Sequence, residues 1–144
     1  TNVARSWIEI ANLNLGIKLN IFTNNYSFDA YNKKCEKYKL STDLENIKIF
    51  YNLKELDNAD VVITDTWESM GEKVNNQIIE NLNAYTVDNE MMNVLGDECI
   101  FMHCLPAKRG QEVTSEVIDG PQSVVWDEAQ NRLHIQKEII KWCL

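Results

Sequence analysis

The chain has 144 residues, which fits one domain; a domain of about 150 residues buries roughly 68–70% of its unfolded surface, enough for a real core. Hydrophobic residues make up 44% and charged residues 25%, ordinary globular values, and the net charge of −8 gives a surface that repels phosphate backbones and anionic lipids. Nucleic acid and membrane are therefore excluded as expected partners: no apolar run approaches the roughly 18 residues of a spanning helix, the start Thr1-Asn2-Val3-Ala4-Arg5 lacks a secretory layout, and the expected location is cytoplasmic.

In chain order, Val3, Trp7, Ile10, Ala11 and Leu15 fall near helical spacing, and Gly16 supplies the stop. Residues 17–22 read as a strand, and 28–40 as a polar helix with Tyr31, Cys35 and Tyr38 on one face. A second strand is predicted over 47–51 and a short helix over 53–59. Residues 60–64 form a continuous apolar strand of the kind buried on both faces. Then come a helix over 75–82, a short strand over 84–87, a helix over 89–95 closed by Gly96, and a buried strand over 99–102. The last strand is predicted at 123–126, with Asp127 capping a final helix that runs to about Cys143.

Strands alternating with helices at short intervals predict an α/β fold: a Rossmann-like, doubly wound parallel sheet covered on both faces, in one domain over residues 1–144. Pro106 and Pro121 are placed in turns. Cys35, Cys99, Cys104 and Cys143 form no C-x-x-C pair, so reduced thiols are expected. Two features look unfinished. The first helix has no strand before it, and the last helix carries Leu133, Ile135, Ile139, Ile140, Trp142 and Cys143, more apolar surface than one sheet face takes. Either partners are missing, or the first helix caps the sheet and the last one packs on it.

Ligands of open α/β sheets bind beyond the carboxyl ends of the strands. Three stretches lie there: Asp65 to Gly71, His103-Cys104-Leu105-Pro106, and the start of the last helix from Asp127 to Arg132. Asp65 can pair with a ligand ammonium or cap the next helix; Trp67 is a lid or part of the core. His103 and Cys104 do not form a catalytic dyad, because neighbouring side chains leaving a strand point to opposite sides. Adjacent His and Cys also make a poor zinc site, and Cys104 alone reads as an inert buried thiol. A cis Leu105-Pro106 bond would aim backbone carbonyls into the crevice, where an amine can donate to them. Arg132 reads as a surface ion pair or as a contact to an anion or carbonyl; Lys108 and Arg109 read as a solvated loop. No G-x-G-x-x-G or Walker pattern supports nucleotide binding.

Taken together, Asp65-Thr66-Trp67-x-Ser69-Met70-Gly71, His103-Cys104-Leu105-Pro106, Glu112-Val113-Thr114 and Asp127-Glu128-Ala129-x-Asn131-Arg132-Leu133-His134 resemble ornithine carbamoyltransferases in order and spacing. The opening Asn2-Val3-Ala4-Arg5-Ser6 looks like the helix after that family's "GDGNN" turn, so the resemblance covers essentially the whole chain. It implies the C-terminal, ornithine-binding domain. Asn2, Asp65, Ser69, Met70, Cys104 and Leu105 match ornithine-binding residues; His103, Cys104, Leu105 and Arg132 match the carbamoyl-phosphate side; Cys104 and Arg132 match the catalytic pair.

The implied reaction moves the carbamoyl group of carbamoyl phosphate to the side-chain amine of ornithine, giving citrulline and phosphate, a step of arginine biosynthesis or of urea-cycle type. It needs no metal or organic cofactor, and the full-length enzyme is expected to be a homotrimer. The family's S-T-R-T-R phosphate loop and H-P-x-Q stretch do not occur here, and Thr1 stands where the family has the first of two asparagines. The expectation is an enzyme fragment that lacks the first strand of its sheet and its carbamoyl-phosphate domain, and is inactive alone. The alternatives are a carbamoyltransferase for another amine, such as putrescine or N-acylornithine, and a stand-alone amino-acid-binding module.

Overall fold

The computed structural model describes residues 2–13, 15–24, 28, 32–33, 35–42, 44–68 and 76–144, with backbone alone at 76–78. They form two compact units, residues 1–56 and 57–144.

In the first unit, helix α1 (Asn2–Asn12) buries Ile8 and Ala11 completely. Those two residues meet Cys35 and Ile47, with Leu19, Ile21, Leu40, Leu44 and Ile49 packed around them, so an apolar helical stripe is buried against the sheet. The helix stops four residues before Gly16. The Asn12 side chain donates back to the Ile8 carbonyl (2.8 Å) and across to Ser41 O, and accepts from Ser41 N. Asn46 covers the Ala11 carbonyl at 3.0 Å, satisfying another helix-end acceptor. Leu15 therefore lies beyond the helix and is exposed, contrary to the expected periodicity. Strands β1 (Leu19–Phe22) and β2 (Ile47–Phe50) pair in parallel, Leu19 opposite Ile47 through Phe22 opposite Phe50. Between them residues 28, 32, 33 and 35–37 are helical, with Cys35 buried and Tyr38 exposed; Tyr31 is outside the described residues.

The short helix expected over 53–59 is a single 3-10 turn, Leu53–Glu55, capped by Asn52 and ended by the extended backbone of Leu56. In the second unit, β3 (Val61–Thr64) pairs in parallel with β4 (Ile100–His103), Val61 opposite Ile100 and Thr64 opposite His103. The expectation that β3 is buried on both faces fails: Val61 is 40% exposed and the rest of the strand only half-buried. Among the described residues β3 has one strand neighbour, and a strand paired on one side keeps an open edge. The α/β class and the parallel pairing are as expected; among the described residues the strands form two parallel pairs, one in each unit.

After β3 come α2 (Asn76–Leu82) and α3 (Asn89–Leu95). The residues expected as a strand at 84–87 form a 3-10 turn, Asn83–Tyr85, followed by one parallel bridge from Val87 to Val113. Helix α3 starts on Asp88, whose carboxylate accepts from Met91 N, and ends at Gly96 with φ 104, a backbone region that favours glycine. It buries Met91, Met92 and Leu95. A four-residue helix, α4 (Ser115–Ile118), adds Val117 and Ile118 to the buried set.

Residues 123–126 are not a strand. Ser123 makes one parallel bridge to Phe101, and α5 (Val125–Cys143) begins at once behind Val124. Val124 N donates to Phe101 O, so β4 itself launches this helix. Asp127 does not cap it; it sits inside the first turn, where a negative charge still favours the helix N-terminus. From Ala129 onward every α5 residue is exposed, Trp142 by 87%. No described helix is long and apolar enough to cross a membrane, and Cys99, Cys104 and Cys143 carry free thiols.

Candidate functional site

The β3–β4 register dictates the site. Thr64 and His103 are the last paired residues, so the next residues, Asp65 and Cys104, leave the sheet side by side at its carboxyl edge. The Cys104 thiol donates to Asp65 Oδ1 at 3.1 Å, and the same oxygen accepts from Thr66 N at 2.8 Å. Asp65 is thus both a turn cap and a partner of the thiol. Thr66 Oγ1 donates to Glu68 O at 3.1 Å and braces the turn.

Cys104 is exposed, not buried as the residue alone suggested. Its thiol pKa is pushed up to about 12 by partial desolvation, by the hydrogen bond and charge of Asp65, and by the charge of Glu128. Because the residue is open to solvent, the two carboxylates are the firmer cause: a thiolate there would face negative charge on two sides. The thiol therefore stays protonated at neutral pH and acts as a donor. Asp65→Asn removes one of those charges, so the Cys104 pKa should fall toward the ordinary thiol value. Its alkylation rate as a function of pH, read by mass spectrometry, checks this, and an unmoved midpoint would mean that Asp65 does not govern the thiol.

The next residues turn sharply: Leu105 has φ 50 and the Leu105-Pro106 bond is cis. A groove of about 560 Å³ is lined by Cys104, Leu105, Pro106 and Ala107 from the turn after β4, by Trp126, Ala129 and Arg132 from the first turns of α5, and by Ile118. Arg132 is exposed, and among the described residues no carboxylate forms an ion pair with it. The surface-pair reading thus lacks a partner, and the guanidinium is available to an anion or carbonyl in the groove. Arg109 also lines the groove but is engaged by Asp119 through two bonds, 3.1 and 2.7 Å. That pair raises the Arg109 pKa and holds the Asp119 carboxyl below its usual range. Lys108 binds Glu68, tying this turn to the one after β3, so neither Lys108 nor Arg109 is simply solvated.

His103 points the other way, as alternation along a strand requires. Its side chain is wholly buried, with Nε2 3.4 Å from Glu112 Oε1, and it is not part of the groove wall. Two acids that the sequence reading left without a role act here. Glu128 Oε2 accepts from His103 N at 2.9 Å, and Glu112 Oε1 accepts from Lys108 N at 2.6 Å. Asn2 lies exposed at the start of α1 in the first unit, whereas Asp65, Cys104, Leu105 and Arg132 belong to the second. Ser69 and Met70 are outside the described residues. Among the described residues no group of three or more His, Cys, Asp or Glu is placed to hold a metal ion.

Over residues 1–143 the sequence matches the family described as aspartate/ornithine carbamoyltransferase, Asp/Orn binding domain. The ornithine carbamoyltransferase of Nitrobacter winogradskyi is 43% identical over 148 residues, covering 99% of this chain and 46% of that protein. Among solved structures, the anabolic ornithine carbamoyltransferase of Campylobacter jejuni is similar with a TM-score of 0.63 and 29% identity, over 87% of this chain and 43% of that one. The ornithine carbamoyltransferase of Pyrococcus furiosus gives 0.60 and 37%, over 75% and 36%. The chain spans about half the length of the relative from Nitrobacter.

Proposed function

This chain belongs to the aspartate/ornithine carbamoyltransferase family, and from that premise we propose that it supplies the ornithine-binding half of an ornithine carbamoyltransferase. The observation that carries the reading is the pairing of Cys104 with Asp65 at the ends of two paired strands, with Arg132 lining the same groove as Cys104. A carboxylate there attracts the side-chain ammonium of a diamino acid. Once that amine is neutral its lone pair attacks the carbamoyl carbon: the N–C bond forms, the bond to the phosphate oxygen breaks, and the electron pair leaves with phosphate.

The Cys104 thiol, protonated at neutral pH, is not the base. Its sulfur lone pairs can accept from the amine, while Asp65, which already accepts from the thiol, is the group of the pair able to take a proton. Arg132 stabilises the negative charge growing on the carbonyl oxygen. Much of the acceleration comes from holding two substrates together, which requires the carbamoyl-phosphate domain. We place that domain in polypeptide beyond these residues; it would cover the apolar side chains of α5, among them Ile135, Ile139 and Trp142. The chain by itself is then inactive.

The test is to join the chain to the carbamoyl-phosphate domain of a carbamoyltransferase and measure product from ornithine, putrescine and N-acetylornithine in competition. Citrulline should dominate, and the chain alone should give none. A folded two-domain product that leaves ornithine untouched would overturn the reading. Preference for putrescine or acetylornithine would move the acceptor but keep the family. Tight ornithine binding by the chain alone, measured by calorimetry, would instead favour a stand-alone amino-acid-binding module.

A further inference from the structure

Three side chains take up the backbone donors of one turn. His103 N donates to Glu128, Leu105 N donates to His103 Nδ1 at 2.9 Å, and Lys108 N donates to Glu112 Oε1. The His103 and Glu112 side chains are both wholly buried. Because Nδ1 accepts from Leu105, it carries no proton, and the imidazole proton must sit on Nε2, the nitrogen that faces Glu112. At 3.4 Å that contact is within ion-pair range but not aligned as a hydrogen bond, and neither His103 Nε2 nor Glu112 Oε2 has any other hydrogen-bond partner. Burying a carboxylate with one oxygen unpaired costs stability, and a merely structural site would be served as well by apolar groups. The polar pair sits instead directly behind the turn that presents Cys104 and Leu105.

We propose that Glu112 is a positioning residue for the Cys104-Leu105-Pro106 turn: its buried carboxylate fixes His103 as the Nε2–H tautomer, so that Nδ1 can hold Leu105 N, and it takes Lys108 N directly. Glu112 thereby pins both ends of the turn and sets where the thiol stands against Asp65 and where the Leu105 carbonyl meets the amine. This deepens the reading of that turn as the amine-holding element and rests on it for its meaning, though not for its test.

Two measurements on the 144-residue chain decide it. The first is nitrogen-15 NMR of the two imidazoles at neutral pH, with His134→Gln assigning the exposed one. An unprotonated Nδ1 and a protonated Nε2 are expected at His103, and a proton on Nδ1 overturns the proposal. The second is the rate at which iodoacetamide alkylates Cys104 at pH 8.5 in a Cys143→Ser background. In Glu112→Ala the turn is freed, the thiol leaves Asp65, and alkylation should accelerate about tenfold or more as the thiolate fraction rises. In Glu112→Gln the amide oxygen still accepts from Lys108 N, and the slow rate should largely return. A folded Glu112→Ala chain, with Cys35 and Cys99 still protected, that reacts at the unsubstituted rate overturns the proposal. If that variant does not fold, the His103 tautomer in the unsubstituted chain and the Glu112→Gln rate decide. Neither readout involves ornithine or carbamoyl phosphate, so failure here and failure of the proposed function are separable.

Discussion

Replacing Arg132 by glutamine in the joined two-domain protein lowers kcat by about 10²–10³-fold, the usual loss when one donor to a developing oxyanion is removed. Arg132 stands on the first turns of α5, and no described carboxylate pairs with it, so its charge is not already spent on the protein. Its neighbour Arg109 lines the same groove but is held by both oxygens of Asp119. Arg109→Gln is the control: its loss should be far smaller. Arg132→Lys keeps a charge but not the planar fork, and should recover only part of the rate. The measurement is steady-state kinetics with ornithine varied at saturating carbamoyl phosphate. A fall in kcat with little change in KM for ornithine marks a contact made in the transition state. If Arg132→Gln retained kcat within a few-fold, the guanidinium would not touch the reacting carbonyl and α5 would contribute only shape to the groove.

The groove was legible in the sequence because its parts follow from patterns that local physics sets. Two apolar runs, residues 60–64 and 99–102, read as parallel strands, and whatever follows each must emerge at one edge. Asp65 and Cys104 therefore fall at the same edge, and the register puts them in hydrogen-bond contact. The opposite facing of His103 and Cys104 came from alternation alone. What the sequence hid was burial of charge. Glu112 sits in a polar turn beside Arg109, Gly110 and Gln111, where an acid is ordinarily solvated, and nothing in its spacing marks it as buried. The one available signal was His103, a histidine closing a buried strand, which needs a partner for each ring nitrogen. Likewise Ser123-Val124-Val125-Trp126 has strand propensity, yet tertiary bonds to Phe101 use up Val124 N and hand the chain directly to α5. The apolar side chains of α5, unexplained by the sheet, do remain exposed.

The same β4 strand carries the largest expected effect on stability. Phe101→Ala removes a wholly buried ring, and large-to-small changes of this kind cost about 3–5 kcal/mol. A domain has roughly 5–15 kcal/mol in all, so much of its stability would be lost. The loss reaches the site because of where the ring sits. Phe101 is opposite Val62 in β3 and bridges to Ser123, with its N–H on Gln122 O and its carbonyl on Val124 N. Two residues on, the same strand delivers His103 and then Cys104; through Val124 it holds the root of α5 and so Arg132. A cavity at Phe101 therefore loosens both parts of the groove at once, although the residue does not line it. Phe101→Leu keeps most of the volume and should cost less than about 1.5 kcal/mol. Urea unfolding followed by the combined fluorescence of the four tryptophans, Trp7, Trp67, Trp126 and Trp142, measures the difference. A Phe101→Ala midpoint close to the unsubstituted one would mean that the β3–β4 pair is held by something other than its buried centre.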